Sequence, residues 1–529
     1  MKQTLHVEAQ AFSPAECTDL TALLGRPPTR GHVGVSISGG GSRAACAGVG
    51  ALRALHAFGL LRHVRALSVV SGGSWAAVPF TFLPDGFDDE HLLGAFVPDP
   101  AALHWHAERT PSHLGYLPSG SLMAAFTEGS MQSIVLLIES VRDAIHGLPG
   151  DRLWSRQIAE QILQPFGLAA FTEDGRPDDL FAASPAAADA LRAAYPNLPR
   201  RIYPVRQSEA LPRPFLAVQS AMRVKGPDGS VVLAPATFTP VWSGILGHGI
   251  GTLDGIEVGG GAISSHAFGG RRVGGTVTRP RVELSAPFAL SDVAGICSAA
   301  YADGASDRGF DEITPKLTYF QPLAEDSPSA TGLFVDAGVM ENTGIAGLLA
   351  FPEIDAILAI ISPPTAVERH GRDLVIDRQI AALFGYREYE KGRGWRRYCE
   401  PGIGSADRDG CQVFRSDQGE FQALLAAFGA RYDAGEPLVV EAIHEVVQND
   451  RFAVAGGRKV RVVWALQGKV QRFASRLRPS VHLGRGPAFP NIPTASTAMP
   501  TPVVSLLAHF SAWMLAETRA VVERLFDPA

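Results

Sequence analysis

Long apolar runs are missing from this chain. No stretch approaches the roughly 20 apolar residues that a membrane-spanning helix needs. Cysteine is scarce: Cys17, Cys46, Cys297, Cys399 and Cys411 are five, an odd number, and they are scattered. None forms a metal-spaced pair, which excludes a disulfide framework and a zinc module of ordinary spacing. Reduced thiols in a cytoplasm fit that usage best. There is no basic run and the net charge is −6, so no nucleic-acid partner is expected. The opening Met1 to Glu8 lacks the apolar core of a secretory leader, so export by that route is not expected. Internal repeats and low-complexity tracts are absent too.

What is present is globular: 46% hydrophobic and 19% charged over 529 residues, more than one ordinary core requires. The chain is organised around Val33 to Trp75. His32 to Ser38 reads as a strand, and it runs into Gly39-Gly40-Gly41-Ser42-Arg43. Ala44 to Phe58 has helical spacing. Val64 to Val70 is a second short apolar run, ending on Ser71-Gly72-Gly73-Ser74-Trp75. Short apolar strands flanking an apolar helix make a βαβ unit of a parallel sheet, whose chemistry sits at the strands' carboxyl ends. Those ends carry a glycine run and a serine.

Consecutive glycines expose backbone N–H groups, and the helix that follows aims its own free N–H groups at the same place. The product is a pocket for negative charge, a bound phosphate or a transient oxyanion. A serine on a sharp strand-to-helix turn among small residues is a nucleophile-elbow arrangement. A dinucleotide loop is the competing reading, since Gly39, Gly41 and Ala44 fit its spacing. It wants a carboxylate at the end of the second strand, where this chain has Ser68-Val69-Val70-Ser71. A nucleophilic serine needs a base. Downstream, Leu333-Phe334-Val335 delivers Asp336 to the small-residue turn Ala337-Gly338. Asp is also a common structural cap of such turns.

Together these pieces resemble the patatin-like phospholipases, including the cytosolic phospholipase A and lysophospholipase branch. Gly39-Gly40-Gly41-Ser42-Arg43 is similar to the family's oxyanion loop. Val69-Val70-Ser71-Gly72-Gly73 is similar to its serine elbow, and Asp336-Ala337-Gly338 to its aspartate motif. Glu341-Asn342-Thr343-Gly344 and Phe489-Pro490 with Thr494 are fainter echoes. The elbow's first glycine is Val69 here, which is expected to lie in strand conformation. Pro79 is expected to shorten or kink the helix after Ser71.

The resemblance implies a three-layer α/β/α fold with a mostly parallel sheet. It implies a Ser71–Asp336 dyad in which Asp336 takes the serine proton directly. It also implies an oxyanion hole from Gly39, Gly40, Gly41 and Gly72, and Arg43 as the phosphate contact. The implied activity is hydrolysis of a phospholipid or lysophospholipid ester through an acyl-enzyme, with no metal or organic cofactor. Acyl transfer by the same dyad, and a silent or nucleotide-binding scaffold, are the alternatives. A histidine base is compatible with chain order, since His370, His444, His482 and His509 all follow Asp336, though none lies in a loop built for it.

The rest of the chain is read as one large domain. Residues 84–213 are polar and proline-punctuated, a helical insertion whose Met131–Ile138 run is a lid or an ordinary buried helix. Ser13-Pro14-Ala15-Glu16 is a capping box. Pro227-Asp228-Gly229 marks a hairpin. Gly244 to Gly275 is expected to be an irregular loop near the site entrance, and Leu290 to Tyr301 a helix under the catalytic turn. Asp355–Ile361 reads as a buried parallel strand. Residues 386–529 are read as an extension packed on the core, with a basic, aromatic stretch at 386–412 that fits a solvated loop or a peripheral contact with anionic lipid. Glu441 to Gln467 reads as a hairpin, and Pro502 to Leu525 as the closing helix.

Overall fold

Every residue of Val33–Ile37, Ala66–Val70 and Ala356–Ile361 is buried. Strands that read as unbroken apolar runs are those covered on both faces, the usual condition of a parallel sheet. The computed structural model describes residues 5–105, 110, 112–117, 121–127, 150–173, 175–199, 201–302, 313–398, 410–481 and 489–527. In chain order, the elements that build the site begin with β1 (Val33–Ile37), helix α1 (Gly41–Ala57), β2 (Ala66–Val70) and α2 (Gly72–Phe82). The long strand β3 (Phe215–Lys225), β4 (Val231–Phe238) and the short helix α3 (Leu290–Ile296) follow. Then come β5 (Ala330–Asp336), α4 (Ile345–Leu349) and β6 (Ala356–Ile361). Next are the paired strands β7 (Tyr386–Glu390) and β8 (Gly394–Arg397), then β9 (Val439–Glu445), β10 (Lys459–Leu466) and helix α5 (Thr501–Glu517).

The sheet runs β4-β3-β2-β1-β6-β10-β9. The five strands from β3 to β10 are mutually parallel. Antiparallel β4 and β9 flank them. Side chains alternate across the sheet, so β1 shows which helices cover which face. Gly34 lies against Leu348 of α4, and Ile37 against Gly48 of α1. Gly34 and Ile37 are three positions apart, an odd offset, so α4 and α1 lie on opposite faces and the fold is three-layer α/β/α. Helix α5 forms a second helical row against α1. There a Cβ at Gly50 would stand 2.2 Å from the carbonyl of Ala508, and the Ser511 hydroxyl donates to the Ala47 carbonyl at 2.8 Å.

Several expectations hold. β6 is the parallel strand read at Asp355–Ile361. Pro227-Asp228-Gly229 joins antiparallel β3 and β4. β9 and β10 pair as a hairpin. Val69 lies inside β2. Glu16 accepts from the Ser13 N–H at 2.8 Å, closing the capping box.

Others need correction. α2 runs on past Pro79 to Phe82 rather than stopping at it. Gly244 to Gly275 is not an irregular loop at the site. It holds the short strands Trp242–Ile245, Gly261–Ser264 and Arg271–Gly275, the first two continuing the sheet beyond β4. Glycine, which weakens strands by propensity, hid them. Residues 84–213 carry short helices together with a parallel pair, Asp179–Ala182 and Arg201–Pro204. The Met131–Ile138 run lies outside the described residues. Residues after 386 do more than pack on the core, because β10 and β9 complete one side of the sheet.

Candidate active site

Register along β3 brings the two motifs together. The first half of β3 pairs with β2 in parallel as far as Val70 opposite Gln219. The next residue, Ser220, pairs with Asp336, the last residue of antiparallel β5. β2 therefore stops at Val70 and β5 stops at Asp336, end to end along one edge of one strand. The residues that leave those ends, Ser71 and Asp336, face each other there. The Ser71 side chain lies close enough to the Asp336 carboxylate to favour its charged form.

Ser71 sits at φ 51, ψ −126, a conformation that costs a side-chain-bearing residue about 1–3 kcal/mol. The surroundings hold it there. Its carbonyl accepts from the Ser74 N–H at 2.9 Å and from the Ser74 hydroxyl at 2.7 Å. The Cys297 thiol, just after α3, donates to the Ser74 oxygen at 3.0 Å. Trp75 donates its indole N–H to Ser298 at 3.2 Å. The segment expected under the catalytic turn thus braces it. Burial pushes the Cys297 thiol far up, so it stays protonated and inert.

Asp336 is buried, and burial lifts its carboxyl to about 6, opposed by the nearby Ser71 side chain and by the Gly338 N–H that donates to it at 2.7 Å. A carboxylate destabilised by burial is a better proton acceptor than an exposed one, which suits a base acting directly on a hydroxyl. None of the histidines line this cavity among the described residues. His444 is buried, accepts from the Trp464 indole at 3.0 Å, and is pushed down to about 4 by burial. His370 pairs with Glu368 at 3.0 Å, and His509 lies in α5. His482 lies outside the described residues.

The glycine run and the serine turn meet backbone to backbone. A Cβ at Gly72 would stand 2.0 Å from the carbonyl of Gly41. Gly40 and Gly41 take φ 142 and φ 59, which L side chains rarely adopt. The Gly39 N–H is already committed to the Asn342 carbonyl at 3.0 Å, so it is removed from the expected oxyanion set. Gly40 and Gly41 open α1 and Gly72 opens α2, and first-turn N–H groups have no intrahelical acceptor. Two helix N-termini therefore converge beside the Ser71 hydroxyl.

Arg43 is not where a phosphate contact is expected. It is 1% exposed and absent from the cavity wall. Its guanidinium donates to the Ser362 carbonyl at 2.9 and 3.1 Å, to the Ile492 carbonyl, and to the Thr494 hydroxyl at 3.4 Å. Burial lowers its pKa to about 10, opposed by the charge of Asp377. It ties the glycine loop to the end of β6 and to the 490s segment.

A cavity of about 530 Å³ opens on Ser71, Asp336 and Gly40. Its wall also holds residues that the sequence did not single out for the site. Asn342 anchors Gly39, and Gln379 accepts from the Asn342 N–H at 3.3 Å. Spacing alone hints at Asn342, six residues beyond Asp336 in the same turn. Tyr389, Trp395 and Glu388 come from the β7–β8 hairpin, which occupies the first part of the stretch 386–412 expected to be a solvated loop or a lipid contact; residues 399–409 of that stretch lie outside the described residues. Gly392 and Gly394 at φ 87 and φ 78 are its turn signal. Two of its basic residues have an acidic partner, Arg393 and Arg396 lying 3.2 and 3.5 Å from Glu390.

No family model matches the chain, and no curated protein does. Among solved structures, human GIVD cytosolic phospholipase A2 is similar at 13% identity and a TM-score of 0.44, over 96% of this chain and 62% of that one. That enzyme in complex with methyl gamma-linolenyl fluorophosphonate and terbium chloride gives a TM-score of 0.40 at 13% identity, over 96% and 61%. VipD from Legionella pneumophila matches at 11% identity and a TM-score of 0.17, over 51% of this chain and 42% of that one. The chain spans about three fifths of the length of the phospholipase structures it matches.

Proposed function

We propose that this protein hydrolyses carboxylic esters of lipids through an acyl-enzyme on Ser71, with Asp336 as its base. The observation that carries the reading is the pairing of a strained serine with a buried, proton-seeking carboxylate at the junction of two helix N-termini. The Ser71 oxygen attacks the ester carbonyl while Asp336 takes the hydroxyl proton. The carbonyl electrons move onto oxygen, where the N–H groups of Gly40, Gly41 and Gly72 are placed to receive the charge. Each such donor is worth ~3 kcal/mol at the transition state. Collapse of that intermediate expels the alcohol, which leaves with the proton from Asp336. Water then attacks the acyl-enzyme with Asp336 again as base, and the fatty acid departs as Ser71 regains its proton.

The apolar side chains of Val339, Pro364, Ala366 and Ile376 on the cavity wall suit an acyl chain. The test is fatty-acid release, read by mass spectrometry, from a lysophospholipid and from a neutral monoacyl ester. The wild type is expected to release acid, and Ser71→Ala to lose at least about four orders of magnitude. Release that survives Ser71→Ala overturns the reading.

A further inference from the structure

A second cavity lies away from Ser71, walled in part by the helix Pro185–Ala194 and the strand Asp179–Ala182. Its volume is about 420 Å³, enough for a small ligand. Ala187, Ala190, Leu191 and Ala194 recur at helical spacing on its wall, so that helix turns one apolar stripe to the cavity. At one rim the polar groups are already spent on Glu8. The Tyr195 hydroxyl accepts from its N–H at 2.9 Å, His266 meets its carbonyl at 3.2 Å, and Arg279 pairs with its carboxylate at 2.9 Å.

The other side differs. A cleft of about 130 Å³ shares Ala183, Pro240 and Val241 with the cavity, so the two lie side by side. Three guanidiniums reach the cleft wall, those of Arg26, Arg206 and Arg213. Among the described residues one carboxylate answers them, that of Asp89, which is off the wall and pairs with Arg206 at 3.5 Å and with Arg213. Arg213 is buried and also donates to the Phe80 carbonyl at 2.8 Å. Arg26 has no acidic partner among the described residues, and burial and the charge of Arg65 both disfavour its cation. A half-buried guanidinium beside a like charge is stabilised by an anion that reaches it.

We propose that cavity and cleft together bind a long-chain carboxylate, its chain on the alanine stripe and its head on Arg26 and Arg206. Guanidiniums take carboxylates by directed, charge-assisted hydrogen bonds. A neutral lipid would leave the arginines uncompensated, and a small anion would leave the stripe bare. Fatty acids are what the proposed hydrolysis releases, so the ligand class rests on that reading, while the site itself is separate. Ser71 stands at the start of α2 and Arg213 holds the Phe80 carbonyl near its end.

The test is photolabelling of the wild type with a diazirine-bearing long-chain fatty acid, the crosslinked peptides being located by mass spectrometry. Crosslinks are expected within 181–195, apart from any in the catalytic cavity. The matching fatty alcohol is expected to label that segment roughly tenfold less. Arg26→Gln is expected to bring the acid down to the level of the alcohol. Ala190→Trp, at an exposed position on the stripe, is expected to abolish labelling there by both, and it keeps the test if Arg26→Gln does not fold by circular dichroism. Crosslinks confined to the catalytic cavity, equal labelling by acid and alcohol, or labelling unchanged in a folded variant overturns the assignment. Catalysis is read separately. Selective labelling here by a protein that releases no fatty acid contradicts the hydrolase reading and supports this site. Hydrolysis without such labelling contradicts this site alone.

Discussion

Asp336 holds its proton more tightly in the folded chain than in the unfolded one, because burial raises its carboxyl to about 6. A base works only when deprotonated, so kcat/KM on an uncharged ester is expected to rise with pH through about 6 and level above it. A limb centred near 4, the ordinary carboxylate range, contradicts this. The same shift has a stability consequence of definite sign. The group is neutral and harmless below the unfolded value, and it destabilises the fold as pH rises from there through 6. Asp336→Asn keeps an oxygen to accept from Gly338 and removes the buried charge. It is expected to stabilise the protein by up to about 2–3 kcal/mol at pH 8, a gain that vanishes towards pH 4. Thermal melts at the two pH values decide it, and equal gains at both would count against the account. Arg43 makes a contrasting case. Arg43→Ala leaves the Ser362 and Ile492 carbonyls without their donor and is expected to cost about 3 kcal/mol or more in stability. Activity should fall equally on phosphate-bearing and neutral esters, whereas a loss confined to phosphate-bearing ones would restore the phosphate role. Ser71 and Asp336 were legible in the sequence because each follows its own short apolar strand. The partners of Arg43 were not, since they lie 319 and 449 residues away in the chain.

At the scale of elements, β3 is the device that assembles the site, with β2 and β5 ending against successive residues of one edge. Nothing local announces this, because Gln219 and Ser220 look like ordinary strand residues. Parallel strands such as β6 were readable from unbroken apolar runs, and hairpins from Asp-Gly and Gly-Gly turns. The β7–β8 hairpin was obscured by its charge and by a register shift between Tyr386 and Glu388. Two glycines separate local from global packing. Gly72→Ala places a methyl 2.0 Å from the Gly41 carbonyl and must push the serine turn off the glycine loop. The expected result is a loss of roughly a hundredfold in kcat with the fold intact. Gly50→Ala forces α1 away from α5, far from the chemistry, and is expected to lower the melting temperature instead. If Gly50→Ala proved neutral in melts, the close α1–α5 contact would be refuted.

The whole molecule is closed by its last third. β10 and β9 extend the sheet, α5 covers α1, and the 490s segment receives Ser42 and Arg43 of the glycine loop. The sequence reads residues 386–529 as an extension packed on the core, because nothing local in them shows that β10 lies beside β6. A chain ended at Gly385 loses both strands and the cover of α1, and it is expected to show no cooperative thermal transition. The central claim, a serine activated by a carboxylate without a histidine, is tested most directly by intact-mass labelling with a fluorophosphonate. The account predicts one adduct on the wild type, at Ser71, and none on Ser71→Ala or on folded Asp336→Asn. An adduct that persists on Asp336→Asn, or a folded wild type that takes none, contradicts it.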